Sequence, residues 1–429
     1  MYGNIYRLYY GQMLVVVLCG KENVHEAFVK QADVFSDRPA VTHLKRNELG
    51  IIESNGKTWK MLRRFALRSL RDLGVGKRTI EEKILLESYD LVNEICKRNE
   101  QPFSVRDMYN HALTNILHTI LFGSRPDYTD PELNNIMRCI REITDKPLAL
   151  FAPTTIWPFL KLFRKNKIAN ELATEIKAYG MLSRYIENQL EEHRSTFDNS
   201  NIRDFIDIFL GTEKNGSDSD ITTKQMVQVI IDLFNAGTDT TSNTLEWAAL
   251  YMISFPDVQG KCQQEIDEVV GQGRQVRLSD RQRMPYVEAT LLEIQRIVNV
   301  ASSSLPHIAS RDAVVAGHRI PKGAVIFGNL QVTHMDSSYW DDPLAFKPGR
   351  FLDPDYKVKK YNGFMPFSVG PRACPGESLA KAAMFLIFSN TLQKLDLRKT
   401  EEDTVLSFEG EYGITVSPKP FELRAFERV

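Results

Sequence analysis

Residues 222–254 form one long, mostly apolar stretch, and no proline interrupts the chain there until Pro256. A helix of this length would extend roughly 50 Å, which is enough to cross a large globular domain. Its apolar residues lie on most sides of the helix rather than in one stripe, as is typical of a helix that is buried all round. The sequence therefore predicts a fold built around a buried central helix.

The middle of this stretch, "AGTDTT" (236–241), carries residues that a buried helix normally avoids. Gly237 costs about 1 kcal/mol in a helix relative to alanine. Threonine hydroxyls can bond to the carbonyl one turn earlier and bend the helix, and Asp239 adds a carboxylate. One interpretation is a break between two shorter helices, with Thr238 or Asp239 as the N-cap. The other is a groove that places a hydroxyl and an acid beside a buried functional site.

Composition narrows the classes of function. The chain has 429 residues, of which 43% are hydrophobic and 25% are charged, and its net charge is −1. This balance indicates a globular protein with a large core and gives no sign of a nucleic-acid partner. The cysteines are Cys19, Cys96, Cys139, Cys262 and Cys374. They are scattered, odd in number and without a CxxC pair, which argues against a disulfide framework or a structural zinc site and favours a reducing compartment.

Most of the chain has the apolar spacing of helices. Besides the central stretch, helices are predicted at 79–97, 168–194 and 375–395, and short strands at about 5–19 and 313–329. No apolar run reaches the roughly 18 residues that a membrane span needs. We expect a mainly α fold with a small β portion, formed as a single domain by all 429 residues.

Cys374 lies in the loop "MPFSVGPRACPGES" (365–378), directly before a predicted helix. Free N–H groups and the positive end of the helix dipole favour a thiolate at such a position. Gly370 and Gly376 would let the backbone approach a large flat group, and Arg372 is a cation able to meet an anion. The alternative is that Cys374 is a small hydrophobic core residue, as most lone cysteines are.

The same loop resembles a known family pattern. "FSVGPRACPG" is similar to the haem-binding loop F-x-x-G-x-R-x-C-x-G of the haem-thiolate monooxygenases, the cytochrome P-450 superfamily. The matching residues are Phe367, Gly370, Arg372, Cys374 and Gly376. "AGTDTT" resembles the oxygen-activation groove A-G-x-(D/E)-T of that family. Here the matching residues are Ala236, Gly237, Asp239 and Thr240.

Two further stretches match the elements of an ion-pair network in this family. "EIQR" matches E-x-x-R through Glu293 and Arg296, whose spacing of three puts both on one helix face. "FKPGRF" resembles F-x-P-x-R-F and would supply Arg350, although Gly349 replaces the glutamate often found there. Without the resemblance, an E-x-x-R pair is more often a solvated surface pair. With it, the three charged residues are expected to be structural.

Two other stretches match the positions that contact haem propionates. "WKMLRR" resembles the W-x-x-x-R helix, through Trp59 and Arg63. "LPHIASRD" places His307 where microsomal members often have another such contact, and Arg372 is expected to contribute as well. These side chains offer N–H donors and positive charge to anions. The alternative for His307 is a hydrogen-bonded loop residue without a ligand.

The resemblance implies a P-450 fold with a long central helix crossing a haem b (iron protoporphyrin IX), whose iron takes Cys374 as axial ligand. It implies that Asp239 and Thr240 deliver protons for the activation of O2, and that NADPH supplies electrons through a flavoprotein reductase. The expected reaction inserts one oxygen atom into an apolar substrate by hydroxylation or epoxidation. The nearest branch is the microsomal one with the family-2 enzymes, on the cytosolic face of the endoplasmic reticulum membrane. Its N-terminal anchor and proline-rich hinge are expected to be missing here.

The substrate pocket is also inferred from the resemblance. Its walls would come from 40–53, 226–240, 299–305 and 411–416. The candidate pocket residues are Phe234, Ala236, Val300, Ala301, Leu305 and Ile414. Their character favours apolar ligands, and fatty acids, terpenoids, steroids and foreign compounds all qualify.

Two stretches concern partners. Lys60, Arg64 and Arg68 recur every four residues, so they share one helix face. This face suits an acidic NADPH–cytochrome reductase, with a cytochrome b as a further donor, unless it is only a solvated face.

Residues 147–167 are apolar, contain three prolines and end in basic residues. They are expected to dip into a membrane surface or, alternatively, to cover the pocket.

Other functions fit parts of the pattern. A cysteine hydrolase would pair Cys374 with His307 as base, but it would leave "AGTDTT" and Arg372 unexplained. A haem-thiolate isomerase, or a catalytically inactive haem-binding paralogue, would not need Asp239 and Thr240. The intact groove therefore favours a monooxygenase, and an assay of NADPH consumption with a reductase distinguishes it from all three.

Overall fold

The structure of the chain is a computed structural model that describes residues 3–40, 49–75, 78–144, 167–215 and 220–428. The described residues include thirteen α-helices. In chain order these are α1 (Lys21–His25), α2 (Ala32–Phe35), α3 (Gly56–Asp72), α4 (Arg78–Cys96), α5 (Arg106–Leu121), α6 (Pro131–Thr144), α7 (Lys167–Thr196), α8 (Phe205–Asn215), α9 (Thr223–Ser254), α10 (Pro256–Val269), α11 (Pro285–Ile297), α12 (Leu330–His334) and α13 (Glu377–Lys394).

The described residues also form four small sheets. Their strands are β1 (Ile5–Tyr10), β2 (Met13–Cys19), β3 (His307–Ile308), β4 (Ala313–Val315), β5 (His318–Ile320), β6 (Val325–Asn329), β7 (Leu395–Lys399), β8 (Gly410–Tyr412), β9 (Val416–Pro418) and β10 (Leu423–Glu427). The largest sheet has the order β1-β2-β6-β3, in which β2 runs parallel to β6. The other pairs are β7 with β10, β4 with β5 and β8 with β9. The fold is mainly α with a small β portion, as the sequence predicts.

The central helix α9 is continuous over 32 residues. It begins with a capping box: the Thr222 hydroxyl accepts a hydrogen bond from the Gln225 N–H, and the Gln225 side chain accepts one from the Thr222 N–H. Pro256, the first residue of α10, prevents the helix from continuing. Residues 236–241 do not break the helix, which excludes the interpretation of two shorter helices.

Helix α9 lies at the centre of the core. It contacts α3, α5, α6, α7, α10, α11 and α13, and also strands β7 and β9. Its side chains from residue 226 to residue 253 are buried at all but four positions. Near its end, the Trp247 indole donates a hydrogen bond to the Val416 carbonyl of β9 at 3.0 Å. The prediction of a buried central helix is confirmed.

The other predicted elements agree with the structure to within a few residues. The three predicted flanking helices correspond to α4, α7 and α13. The prediction at 5–19 is the hairpin β1-β2, and the prediction at 313–329 is divided into β4, β5 and β6. The C-terminal strands β7 to β10 were not predicted.

Within the described part of the chain, no helix combines the length and the apolar character that crossing a bilayer requires. Residues 145–166 lie outside the described residues, so the expected membrane contact of 147–167 has no structural counterpart here apart from Lys167, where α7 begins. Residues 41–48 of the expected pocket wall 40–53 also lie outside them.

Candidate active site

One face of α9 is open within an otherwise buried stretch. The four accessible positions are Leu233, Ala236, Gly237 and Thr240. The last three follow Leu233 by three, four and seven residues, so all four lie on one side of the helix. The Thr240 hydroxyl donates to the Ala236 carbonyl at 2.7 Å. A Cβ on Gly237 would lie 2.9 Å from Cδ1 of Leu117 in α5, so glycine permits the close approach of α5. The predicted groove is therefore an open face of small residues that carries one hydroxyl.

Asp239 lies beside this face rather than on it. Its side chain is buried, and its two carboxylate oxygens accept hydrogen bonds from Thr144 at 3.1 Å and from Thr415 at 2.5 Å. The Thr415 oxygen also accepts one from Nδ2 of Asn243 at 2.9 Å. Asp239 thus joins the end of α6 and the turn between β8 and β9 to the central helix. Both of its oxygens are engaged by hydroxyl groups.

Backbone geometry positions the cysteine loop. The Cys374 N–H donates to the Phe367 carbonyl at 3.0 Å. Gly370 has φ +84°, and a Cβ there would clash with the Phe28 carbonyl oxygen, so glycine is required. Gly376 differs, because its φ is −92° and a Cβ would meet only the Cys374 sulfur, at 3.9 Å. The contact with Phe28 accounts for glycine at position 370, and no close contact among the described residues requires glycine at position 376.

The Cys374 thiol is accessible at the N-terminus of α13, although protein surrounds it on most sides. Burial and the charge of Glu377 raise the pKa of the thiol, and the N–H groups of Gly376 and Glu377 and the charge of Arg63 act against this rise. Arg63 also donates to the Ala373 carbonyl at 2.5 Å. N–H groups and positive charge around a sulfur stabilise its thiolate, which is the form that binds a metal.

Three cations lie close together near Trp59: Arg38 and Arg372 are buried and Arg63 is half-buried; we call them the arginine cluster. The Arg372 guanidinium lies over the Trp59 ring at 3.9 Å. Burial and the charge of Arg63 lower the pKa of Arg38 to about 9. Burial and the charges of Arg38 and Arg63 lower the pKa of Arg372 to about 8, although Asp37 offsets part of the effect. Like charges held this close in a buried site favour the binding of an anion.

The indole N–H of Trp59 is buried and has no hydrogen-bond partner in the described part of the chain. Buried donors in native proteins normally have an acceptor. An unpaired donor beside the arginine cluster therefore indicates where an anionic acceptor fits. A haem carries two propionates and an iron that binds a thiolate, so the residues present fit this cofactor.

His307 lies near the arginine cluster. Its Nδ1 lies 2.5 Å from the Phe35 carbonyl, to which it must donate, and its ring stacks on Phe28 with centroids 4.0 Å apart. Burial and the charges of Arg38 and Arg372 lower its pKa well below the usual value. The neutral ring then has only a lone pair on Nε2. The contact of Nδ1 with the Phe35 carbonyl fits the alternative of a hydrogen-bonded histidine.

The expected pocket residues do not all lie on the open face. Ala236 is exposed, and Ala301, Leu305 and Ile414 are half-buried. Val300 is buried, and its carbonyl accepts the N–H of Val416 at 2.9 Å.

Phe234 contradicts its expected place in the pocket wall. It is fully buried, and its ring packs edge-on against Phe122 at 5.8 Å and against His118 at 6.4 Å. Two residues along a helix rotate a side chain by about 200°. Phe234 therefore points away from the face that carries Ala236, into the contact with α5.

Glu293, Arg296 and Arg350 form a buried network. Arg296 donates to both oxygens of Glu293, at 2.7 and 2.9 Å, and Nε of Arg350 donates to Glu293 at 3.0 Å. The Glu293 and Arg296 side chains are fully buried, and that of Arg350 is 6% exposed. The other Arg296 donors bind the carbonyls of His334, Pro343 and Ala345. The structure brings the three residues together and excludes a solvated surface pair.

His334, which the sequence analysis did not single out, connects this network to the cysteine loop. Burial and the charge of Arg296 lower the pKa of His334 to about 3, so its ring is neutral. Its Nε2 accepts the N–H of Met365 at 3.0 Å, and its carbonyl accepts a hydrogen bond from Arg296 at 2.9 Å. No motif marks this histidine, because its role depends on contacts between distant segments.

The basic residues of α3 are arranged as predicted. Lys60, Arg64 and Arg68 are exposed, whereas Trp59 and Phe65 of the same helix are buried. The helix thus presents its basic face outward while its other side reaches the arginine cluster.

A second group of titratable residues is structural. His193, Asp204 and Asp207 have possible ligand atoms within 4.8 Å of one another. His193 lies 2.9 Å from Asp204, and Arg203 binds both oxygens of Asp207 at 2.6 and 2.8 Å. Because these groups bond to one another and to a cation, they link α7 to α8 and need no metal ion.

Comparison with known proteins agrees with the geometry. The family model described as Cytochrome P450 matches residues 1–425. The chain is similar to cytochrome P450 2U1 of Homo sapiens, with 35% identity over 100% of this chain and 79% of that protein. It is 34% identical to cytochrome P450 2J2 of Homo sapiens over 100% of this chain and 85% of that protein. It is 36% identical to cytochrome P450 2G1 of Rattus norvegicus over 92% and 81% respectively. The chain belongs to the cytochrome P450 family of haem-thiolate monooxygenases.

Proposed function

We propose that Cys374 binds the iron of a haem b and that the enzyme inserts one oxygen atom of O2 into an apolar organic substrate, by hydroxylation or epoxidation. One observation supports this most: an accessible thiol at a helix N-terminus lies next to the arginine cluster, where the Trp59 N–H lacks a partner. A haem brings an iron for the thiolate and two carboxylates for these donors. A cysteine hydrolase would leave Trp59 and the cluster without a role.

The chain's own residues then have distinct tasks. Trp59, Arg63 and Arg372 bind the propionates by charge-assisted hydrogen bonds. The haem supplies the oxygen chemistry, and the protein supplies position and protons. Thr240 carries the hydroxyl of the open face, while Asp239 holds the two threonines that border it. We infer that Thr240 delivers protons directly, and that Asp239 acts through its hydroxyl partners.

Changing Thr240 to alanine should uncouple electron use from product formation. Haem content and substrate affinity should stay unchanged, because the hydroxyl is bonded only to the Ala236 carbonyl of its own helix. Product formed per NADPH should fall by roughly 100-fold, the lower end of what a positioned proton donor contributes, and peroxide should rise in compensation. The matched control is Thr240→Ser, which keeps the hydroxyl and should restore coupling. An unchanged ratio in Thr240→Ala would remove Thr240 from proton delivery.

We further propose that electrons come from NADPH through an acidic flavoprotein reductase that docks on α3, with a cytochrome b as a further donor. Lys60, Arg64 and Arg68 are exposed on a helix whose opposite side contains Trp59. Docking there gives a short path from the protein surface to the arginine cluster. Opposite charges on two partners mainly accelerate their encounter.

Reversing Arg64 and Arg68 to glutamate should slow the first reduction by the reductase roughly tenfold at low salt, within the range of electrostatic steering. Wild-type reduction should also weaken as salt rises, because charges are screened over about 8 Å at physiological ionic strength. Stopped-flow reduction measures both effects. Reduction by dithionite is the control and should not change, since it needs no docking surface. If the reductase reduces the double variant and the wild type at the same rate and with the same salt dependence, the basic face is only solvated.

The proposed substrate is apolar, because the open face and the half-buried pocket candidates Ala301, Leu305 and Ile414 are mostly aliphatic. A fatty acid, a terpenoid, a steroid and a foreign compound, each titrated into the ferric protein, identify the class by spectral shift. With the class known, consumption of NADPH and O2 in step with product distinguishes monooxygenation from an isomerase, which consumes neither.

We propose the endoplasmic reticulum membrane as the location, by similarity to the family-2 branch, with residues 147–167 in contact with the cytosolic face. The whole chain is proposed to act as one domain. Binding of the holoprotein to lipid vesicles, with Trp157 and Phe159 changed to serine in a variant, tests the contact.

A further inference from the structure

A short segment, residues 50–55 ("GIIESN"), crosses between the central helix and the arginine cluster; we call it the 50–55 strap. On its first side it meets Asp232, a buried carboxylate that stands four residues before Ala236 on α9. Asp232 accepts the N–H groups of Ile51 and Ile52, at 2.7 and 2.9 Å. Gly50 comes so close that a Cβ there would clash with the carboxylate. The strap is therefore pressed against this single acid.

On its other side the strap holds the arginine cluster. The Ile51 carbonyl accepts a hydrogen bond from Arg372 at 3.1 Å, and the Ser54 carbonyl accepts one from the same guanidinium at 2.6 Å. Nε of Arg38 donates to the Ile52 carbonyl at 3.3 Å. All of these acceptors are backbone carbonyls, so their position depends on where the strap lies.

One peptide group of the strap hydrogen-bonds both to Asp232 and to Arg372. The Ile51 carbonyl and the Ile52 N–H belong to the same peptide unit, which accepts from Arg372 and donates to Asp232. The Asp232 carboxylate lies at the N–H end of this peptide unit and the Arg372 guanidinium at its carbonyl end. Each charge polarises the peptide unit, and this polarisation strengthens the hydrogen bond at the opposite end. Asp232 and Arg372 are thus bridged by the peptide group between Ile51 and Ile52, which hydrogen-bonds to both.

Asp232 has the environment that such a role requires. Burial and, to a smaller extent, the charge of Glu53 on the strap raise its pKa to about 6, while bonds from Gln228, Ile52 and Ile51 act against the rise. Nε2 of Gln228, one turn earlier on α9, supplies a third hydrogen bond at 2.9 Å. At neutral pH the carboxylate is charged and fully engaged.

We propose that Asp232 is a positioning residue for the cofactor seat: through the 50–55 strap it holds Arg372 flat on Trp59, so that the indole N–H stays available to an anionic group of the haem. This rests on the proposed function of Trp59 and the arginine cluster. It makes the central helix, and not only the cysteine loop, responsible for cofactor retention.

The test measures how fast the purified holoprotein loses haem to an excess of apomyoglobin. Asp232→Asn keeps the shape of the side chain but removes its charge, so the strap N–H groups lose a charged acceptor. Haem transfer should accelerate roughly tenfold, the change expected when one hydrogen bond to a charged group is lost. Gly50→Ala separates the strap from an intact Asp232 and should have the same effect. The control is Asp207→Asn, another fully buried carboxylate that lies in α8 and does not touch the strap.

A double-mutant cycle separates positioning from general destabilisation. Trp59→Phe removes only the indole N–H and should itself accelerate haem transfer. If Asp232 acts through Trp59, then Asp232→Asn should add little in the Trp59→Phe background, whereas independent effects would multiply. Multiplying effects, or transfer from Asp232→Asn no faster than from Asp207→Asn, would overturn the proposal.

Two other outcomes are decisive. If Trp59→Phe leaves haem transfer unchanged, the proposed cofactor seat itself fails, whatever Asp232 does. If Trp59→Phe is fast and both strap variants are normal, only the role of Asp232 fails. If neither strap variant keeps haem through purification, soluble apoprotein supports the proposal. If both strap variants are insoluble while Asp207→Asn is soluble and holds haem, the effect is on folding rather than on haem retention, and the proposal is overturned.

Discussion

Replacing Arg296 by alanine should abolish the folded, haem-loaded enzyme. The change leaves Glu293 buried opposite Arg350 alone and deprives the carbonyls of His334 and Pro343 of their donor. Removing one partner of a buried ion pair costs about 3–5 kcal/mol. Since whole domains are stable by only about 5–15 kcal/mol, this loss removes much of the stability. Yield of soluble protein and haem content per chain are the measurements.

The matched control is an exposed pair with the same spacing. Lys97 and Glu94 are also three residues apart, but Lys97 is exposed. Lys97→Ala should change stability by no more than about 1 kcal/mol, because surface ion pairs contribute little. A soluble Arg296→Ala enzyme with full haem content and an unchanged thermal midpoint would contradict the structural role of the network.

Changing Cys374 to histidine should reduce turnover to background. Cys374 is the accessible sulfur at the N-terminus of α13, and the other four cysteines of the chain are buried or half-buried. A thiolate ligand donates electron density that favours cleavage of the O–O bond, and a neutral imidazole does so less. Product formation with NADPH and a reductase, normalised to haem content, is the measurement.

Cys96→Ala provides the matched control, because Cys96 is half-buried at the end of α4 and far along the chain from the cysteine loop. Its turnover should equal that of the wild type. Wild-type turnover in a Cys374→His enzyme that retains haem would show that another group binds the iron.

The features predicted correctly from the sequence are those encoded in short, local patterns. The length and apolar character of 222–254 sufficed to predict α9, because a continuous buried helix needs no distant information. The shape of the cysteine loop is local in the same way at Cys374, whose N–H bonds to the Phe367 carbonyl seven residues earlier.

The features that were missed depend on contacts between distant segments. Asp232 acts on residues 50–55, about 180 positions earlier, and Arg38 bonds to the Leu305 carbonyl across 267 positions. The lowered pKa of His307 depends on its burial and on two arginines that only folding brings near it. None of these contacts leaves a signal in spacing or composition.

Two errors had a local signal that was not used. Helical rotation alone would have separated Phe234 from Ala236, because two residues turn a side chain to the opposite side. The strand β7, "LDLRK", alternates buried and more exposed residues, but it follows α13 directly and was not predicted; only Leu395 falls within the predicted helix 375–395. The strands β8 and β9 have only three residues each, which is too short for a periodic pattern.

The most direct test of the central claim is the absorption spectrum of the reduced wild-type protein under carbon monoxide. If Cys374 binds the haem iron as a thiolate, the Soret band should show the strong red shift of thiolate-ligated haem, and Cys374→His should abolish that shift while Cys96→Ala keeps it. A wild-type spectrum like that of an imidazole-ligated haem would contradict the assignment of Cys374, and with it the proposed active site.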